Sequence, residues 1–343
     1  ASTLSTDGGE IALQGQLDTR SEAYEIELRC DSFPLNRFLP ADSLGLLDLA
    51  LQAGGSGFDP LRAQTRGNIR LQVDRAEFRG RDFGGVELNA NLEGGQLSGR
   101  LSDRDEALRL LLLVSGTLTE RKQEVRLTGN VFDFDLAELG ISPQKIGGSF
   151  ALEAGASASD AGSYTARIAL DSIEVRTRHR TDRIRPTSLS LSSDTTATRA
   201  KLASGDLSLA FVSPGPVDSL VPALTRSADI LARQIRAQSV DMETLKPALP
   251  DFSLSVTAGR ENILNNFLKT KKMSFGALDI EGVNCDSLPV SLRIKAERLT
   301  WGGVVLDTLT AGIAQDGRRL DYFLRTANVP GNLDNVALAG LYG

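Results

Sequence analysis

Few residues in this chain have the types and spacing that covalent chemistry needs. His179 is the only histidine. It lies in Arg176-Thr177-Arg178-His179-Arg180-Thr181-Asp182-Arg183, which reads as a polar turn between two strands. An acid–base histidine needs a partner and a pocket, and this stretch supplies neither, so His179 reads as a solvated turn residue. Cys30 and Cys285 are the only cysteines. With one imidazole and two distant thiols there is no plausible zinc ligand set. In a linear array the two cysteines would also lie too far apart for a disulfide. Gly54-Gly55-Ser56-Gly57 and Gly147-Gly148 lack the lysine and the strand-to-helix context of a phosphate loop. No catalytic residue, metal ligand or cofactor is therefore expected.

The acids Asp74, Asp171 and Glu297 attract notice because they recur within one pattern. That pattern is Arg70–Phe78, then Arg167–Val175, then Arg293–Trp301. In each copy apolar residues alternate, an acid follows, and the apolar phase slips by one. Leu71 and Val73 point one way, and Ala76 and Phe78 regain that face only if one residue is absorbed between them. A β-bulge does this and bends the strand. Each acid is thus expected to serve a bulge or turn, paired with a neighbouring arginine, rather than a reaction.

Those elements belong to a repeated architecture. Of 343 residues, 33 are glycine and few are aromatic, which suits short strands joined by tight turns. The net charge is −6 and no basic run interleaves with aromatics, so nucleic-acid binding is not expected. The longest apolar run, Leu110–Val114, is too short to span a bilayer. The chain begins in mid-pattern and reads as a piece of a longer protein. Alternation predicts strands almost throughout, and Glu93-Gly94-Gly95-Gln96 is a hairpin turn. Phe33–Leu39 and Phe132–Leu139 each end a hairpin as an apolar hook. On the order of 18 strands at about 4.8 Å spacing give a sheet on the order of 80 Å long.

One segment departs from alternation. After the breaker Ser213-Pro214-Gly215-Pro216, residues 217–238 carry Val217, Leu220, Val221, Leu224, Ala228, Leu231 and Ile235 as a single helical stripe. That stripe is expected to pack on the sheet as a cap; the alternative is that it closes a groove or lies on a membrane. A short helix is expected over Glu261–Leu268, with Lys269-Thr270-Lys271-Lys272 as a basic C-terminal bias. The expected division is a repeated β region at 1–212, a helix-containing insert or cap at 213–275 with a strand near 252–258, and a continuing β region at 276–343. The fold class is mainly β, an elongated curved sheet with one long amphipathic helix and a few short ones.

An apolar face curved by bulges makes a trough. A soluble chain seldom exposes so much apolar surface without a use. Either the sheet folds on itself and fills the trough, or the trough holds acyl chains. Candidate lining residues are Leu71, Val73, Phe78, Ile168, Leu170, Val175, Ile294, Leu299 and Trp301. The other function class is a structural β-module that presents strand edges to client proteins. An enzyme such as a carbohydrate hydrolase would need two carboxylates facing one cleft.

Asp241–Asp251 followed by Ser255–Leu268, together with Leu202–Leu207 and the breaker and helix after it, resembles the TamB-like translocation and assembly module proteins, with AsmA-like relatives sharing the strand-rich manner. The resemblance implies a β-taco, a sheet curled around a hydrophobic groove. It implies a periplasmic protein anchored in the inner membrane and partnered by a BamA-type outer-membrane barrel, both through parts outside this segment. Its role would be outer-membrane biogenesis, carrying phospholipid or assisting outer-membrane protein assembly.

Overall fold

The computed structural model describes residues 2–6, 8–38, 44–159, 162–237, 241–285, 288–302, 304–316, 319–327 and 340–342. The protein is mainly β, with 23 strands among the described residues, and the printed pairings are all antiparallel. Its contacts divide it into two units, residues 1–161 with 170–183, and residues 162–169 with 184–343. The expected insert at 213–275 falls inside the second unit. Its flanking strands pair directly with each other, Leu209 opposite Val256.

In the first unit β1 (Ser2–Thr6), β2 (Gly9–Asp18), β3 (Ala23–Pro34), β4 (Leu44–Ser56) and β5 (Arg66–Phe78) pair in chain order. β6 (Arg81–Phe83) folds back on the end of β5 through the left-handed pair Arg79-Gly80. β7 (Val86–Glu93), β8 (Gln96–Arg104), β9 (Leu108–Leu118), β10 (Lys122–Asp135) and β11 (Ile146–Ser159) continue the meander. Gly94 and Gly95 both have positive φ and close the β7–β8 hairpin. β12 (Tyr164–Thr177) runs from the second unit into the first, and β13 (Thr181–Ile184) follows it.

The register explains the alternation. Partners across an antiparallel pair share a face. Leu13, Leu28, Leu51, Leu71, Leu88, Leu101 and Leu112 are successive partners, followed by Gly129 and Leu152. Gly129 is required there, because a Cβ would stand 2.0 Å from the Leu111 carbonyl oxygen. Parallel rows lie on either side. One runs Ile26, Ala53, Ile69, Ala90, and the other Cys30, Leu49, Val73, Val86. The opposite face is polar, with Asn68, Asn91 and Ser98 in one row and Arg70, Asn89 and Arg100 in the next.

The second unit repeats the scheme. β14 (Thr187–Ser193), β15 (Ala197–Ser204), β16 (Leu207–Pro214), β17 (Phe252–Ala258), β19 (Ala277–Cys285), β20 (Leu288–Trp301), β21 (Val304–Asp316), β22 (Arg319–Ala327) and β23 (Gly340–Tyr342) pair in succession, and β18 (Met273–Ser274) adds to β20. Leu189, Leu202, Leu209, Val256, Ile280, Ile294, Ala311 and Leu324 form its central row.

Helices meet this second face at two ends. α3 (Ile263–Thr270) brings Ile263, Leu264 and Leu268 onto a buried cluster of Leu207, Val256, Ala258 and Phe275. Its position is fixed by Asn265, which is buried. Its amide donates to the Phe275 and Arg260 carbonyls at 2.9 and 3.2 Å and accepts from the Phe275 N–H at 3.2 Å. At the other end, residues Ser193, Thr198, Ser213 and Asn284 point from the apolar side of their strands. They bind the backbone of Val217, Gly215, Asp251 and Pro250, the segments flanking α1 (Val217–Arg236) and α2 (Met242–Leu245).

The α1 stripe does not pack on the sheet as expected. Val221, Leu224, Leu231 and Ile235 are 42–64% exposed. The buried edge is Leu220 and Ser227, with Ile230 packed on Met242, Leu245 and Val290. Polar anchors set this rotation. The Ser227 hydroxyl donates to the Ala248 carbonyl at 2.6 Å, and the Gln234 amide bonds both the N–H and the carbonyl of Asp241. The buried edge of α1 thus follows these directional bonds rather than the hydrophobic stripe.

The two ways of covering apolar surface should separate in denaturation. Asn265→Ala strands buried backbone groups and should cost about 2–3 kcal/mol. Leu101→Ala on the half-open face should cost only about 1 kcal/mol, below the range for a packed core. Urea midpoints with unchanged slopes check both; equal losses would contradict the distinction.

Candidate functional site

The most extensive feature with the makings of a site is the apolar face of the first unit. Among the described residues of that unit, no helix longer than the single-turn 3₁₀ segment Leu35–Arg37 is present. Its buried hydrophobic side chains are Cys30, Phe33, Ala107, Val131 and Ile173. Leu17, Leu13, Ile69 and Ile26 keep 40–61% of their surface. The rows are continuous but not packed as a core.

Bulges mark one end of these rows. Asp48 pairs with Arg75 and Leu49 with Val73, so Asp74 is the residue absorbed, as its sequence predicts. Beyond it, Ala76 faces Leu47 and Phe83, and the apolar face is restored. β3 slips between Cys30 and Phe33, where Ser32 is left-handed at φ 46°. β10 slips between Val131 and Asp133, which turns Phe132 out to solvent. The other two copies bend differently. Ser172 and Arg298, each following the acid, take φ 51° and 52°. Against β21 the register is unchanged on both sides of Arg298.

The acids serve the backbone at these bends. Asp48 accepts the Ser32 N–H, and Glu77 accepts Leu46 N–H at 3.2 Å. Asp105 accepts Gly84 N–H at 3.0 Å and Ala107 N–H at 2.7 Å. Asp171 accepts Ser172 N–H at 2.5 Å. The expected pairing with the adjacent arginine is replaced by others. Asp74 takes Gln72 at 2.7 Å, Arg75 reaches Asp82 at 3.0 Å, and Glu297 pairs with Lys295 at 2.6 Å.

Beside the bulges is a cleft of about 790 Å³. Phe83, Ala107 and Phe134 supply its apolar wall. Phe134 meets Phe150 edge-on at 6.1 Å, and Phe150 is the partner of Val131 in the apolar rows. Charged residues supply the rest. Arg81 pairs with Glu138, Arg176 with Asp133, and Lys145 with Asp135 at 3.9 Å. Nothing in the sequence pattern joins these residues; the meander gathers them from the ends of β6, β8, β10 and β12 and the start of β11.

Asp103 lies on the apolar face, opposite Leu110, and is 9% exposed. Burial raises its carboxyl above the usual range, against the N–H of Asp105 at 2.9 Å, which lowers it. Cys30, also buried, has its thiol pushed up by burial and by Asp48, which makes it a poor nucleophile.

The expected lining residues separate as follows. Leu71 and Val73 stand in the first unit's rows, and Phe78 faces Leu44 beyond the bulge. Ile294 stands in the second unit's central row, and Leu299 packs at the α3 end. Leu170 and Val175 are half-buried, while Ile168 is 43% and Trp301 70% exposed. Repetition singled out three strands, but every strand of the meander contributes. His179 is exposed in the Thr177–Arg180 turn.

The segments that carry the TamB-like resemblance come together in the second unit. The Asp206 carboxylate accepts Glu261 N–H at 2.9 Å and the Asn262 amide at 2.7 Å at the start of α3. Burial opposes ionisation of Asp206, but these bonds outweigh it and lower its value. Comparison with known proteins gave no match to a protein-family model, a curated protein or a solved structure.

Asp103 gives a pH test with a definite sign. Its raised value means the folded chain holds the proton more tightly than the unfolded chain, so this group's contribution to stability falls as pH rises through its folded value. Asp103→Asn should therefore stabilise at pH 7. The gain should shrink as pH falls and Asp103 becomes protonated. Thermal midpoints against pH check this; a gain that persists unchanged at low pH would contradict it.

Proposed function

We propose that this protein is a non-enzymatic lipid-handling segment whose apolar face holds phospholipid acyl chains. The observation that carries this reading is the run of partnered leucines from Leu13 to Leu152, aligned across consecutive strands with no covering helix among the described residues of that unit. A packed module would bury such side chains; here none of the run is buried, and Leu13 in it and Leu17, Ile26 and Ile69 beside it stay 40–61% exposed. A methylene fully removed from water gains about 0.8 kcal/mol, and one laid on a half-open face gains a share of that. Transfer then needs no bond making.

The resemblance to TamB-like proteins supports the same reading and extends it. The parent protein would bridge the inner and outer membranes in the periplasm, meeting a BamA-type barrel through regions outside this segment. Phospholipid transport and assistance to outer-membrane protein assembly both fit an apolar face of this kind.

Photo-crosslinkers at Leu71 and Ile294 should give lipid adducts in cells or with vesicles. Leu101→Asp should cut recovered lipid more than about tenfold, because a carboxylate desolvated against an acyl chain costs more than the 1.4 kcal/mol that separates decades. It should leave the fold cooperative, since the face is half-open. Crosslinks to protein alone, with Leu101→Asp unfolding the unit, would instead favour a filled β-module.

A further inference from the structure

The charged cleft at the end of the first unit's apolar rows has no place in a purely hydrophobic conduit. Most of its charges neutralise one another: Arg81 with Glu138, Arg176 with Asp133, Lys145 with Asp135, while Asp105 is held by two backbone N–H groups. Asp82, also on the wall, is taken by Arg75. Among the described charged lining residues, Arg178 and Glu106 stand outside these pairs, and both are exposed. The cleft therefore offers one guanidinium and one carboxylate, set against the apolar wall of Phe83, Ala107 and Phe134.

We infer that this cleft binds an amino-phosphate zwitterion, the headgroup of an ethanolamine phospholipid, with Arg178 on the phosphate and Glu106 on the ammonium. A guanidinium matches phosphate by paired N–H donors. A carboxylate matches a primary ammonium, which donates hydrogen bonds; a quaternary ammonium cannot. An anionic headgroup would satisfy Arg178 and leave Glu106 repelled. The acyl chains would leave along Phe134 and Phe150 onto the leucine rows. The volume of about 790 Å³ is ample for such a group. This inference rests on the lipid reading above, and free phosphoethanolamine offers the same chemistry without the chains.

The test incubates the full chain with vesicles containing equal phosphatidylethanolamine and phosphatidylglycerol, re-isolates the protein and measures its lipid. Exposed charge pairs are worth up to about 1 kcal/mol, so about threefold enrichment of the ethanolamine lipid is expected. Glu106→Ala should return the ratio to that of the vesicles, whereas Arg178→Ala, which removes the partner of the phosphate that both lipids share, should lower the recovery of both. Phosphatidylcholine should show no enrichment. Lipid recovered without preference, a preference that survives Glu106→Ala, or a recovery unchanged by Arg178→Ala overturns the headgroup site and leaves the lipid reading standing. If no lipid is recovered but soluble phosphoethanolamine shifts the amide resonances of Ala107, Phe134 and Thr177, the site stands for the free zwitterion and the lipid reading falls. Neither lipid nor zwitterion bound overturns both.

Discussion

Partnered residues of an antiparallel sheet must share a face, and the rest of this structure depends on that constraint. Leucine stands opposite leucine from β2 to β9, so apolar side chains collect on one side and Asn, Arg, Glu and Ser on the other. A slip of one residue in any strand would scatter the rows. Where a slip does occur, at Asp74 or at Phe132, a bulge absorbs it and the next apolar residue returns to the same side. Carboxylates at Asp48, Glu77, Asp105 and Asp171 accept backbone donors at the slips and bends along this end. The charged end of the first unit is thus a by-product of bending strands without losing their face.

The two units treat the same kind of face differently. In the second, α3 docks its apolar side on Leu207, Val256 and Phe275 and is pinned by Asn265 and Asp206. The α1 segment, by contrast, is held by Ser227 and Gln234, and Val221, Leu224, Leu231 and Ile235 stay exposed. Hydrogen-bond geometry, which tolerates little error, decides orientation when it competes with non-directional burial.

Much of this architecture was legible in the sequence. Alternation located the strands, Pro214-Gly215-Pro216 located the start of α1, and the phase slip at Asp74 located a bulge. The central row was read from only three repeats because periodicity within a strand does not reveal which residue of the next strand stands opposite. That requires register, which the turns and bulges set jointly. The side on which α1 packs departs from its pattern for a related reason: the stripe is visible in the sequence, but its competitors are Ser227 and Gln234, whose partners Ala248 and Asp241 lie beyond the helix. The charged cleft was illegible because Arg81, Asp105, Asp133, Lys145 and Arg176 approach only after several strands have paired.

Pairing between neighbours in chain order also bears on how such a chain can change in length. Apart from β6, which folds back on β5 alone, the strands from β2 to β10 each pair with the strand before and the strand after, so a hairpin is a removable part. Without β7 and β8, β5 would meet β9 with strand polarity intact, and Leu71 would find Leu112 where Leu88 now stands. Loss of a single strand would reverse the direction of everything that follows. Lineages of this fold are therefore free to lengthen or shorten by pairs of strands, and the span of the apolar face becomes a quantity that insertion and deletion can adjust without redesigning any one contact.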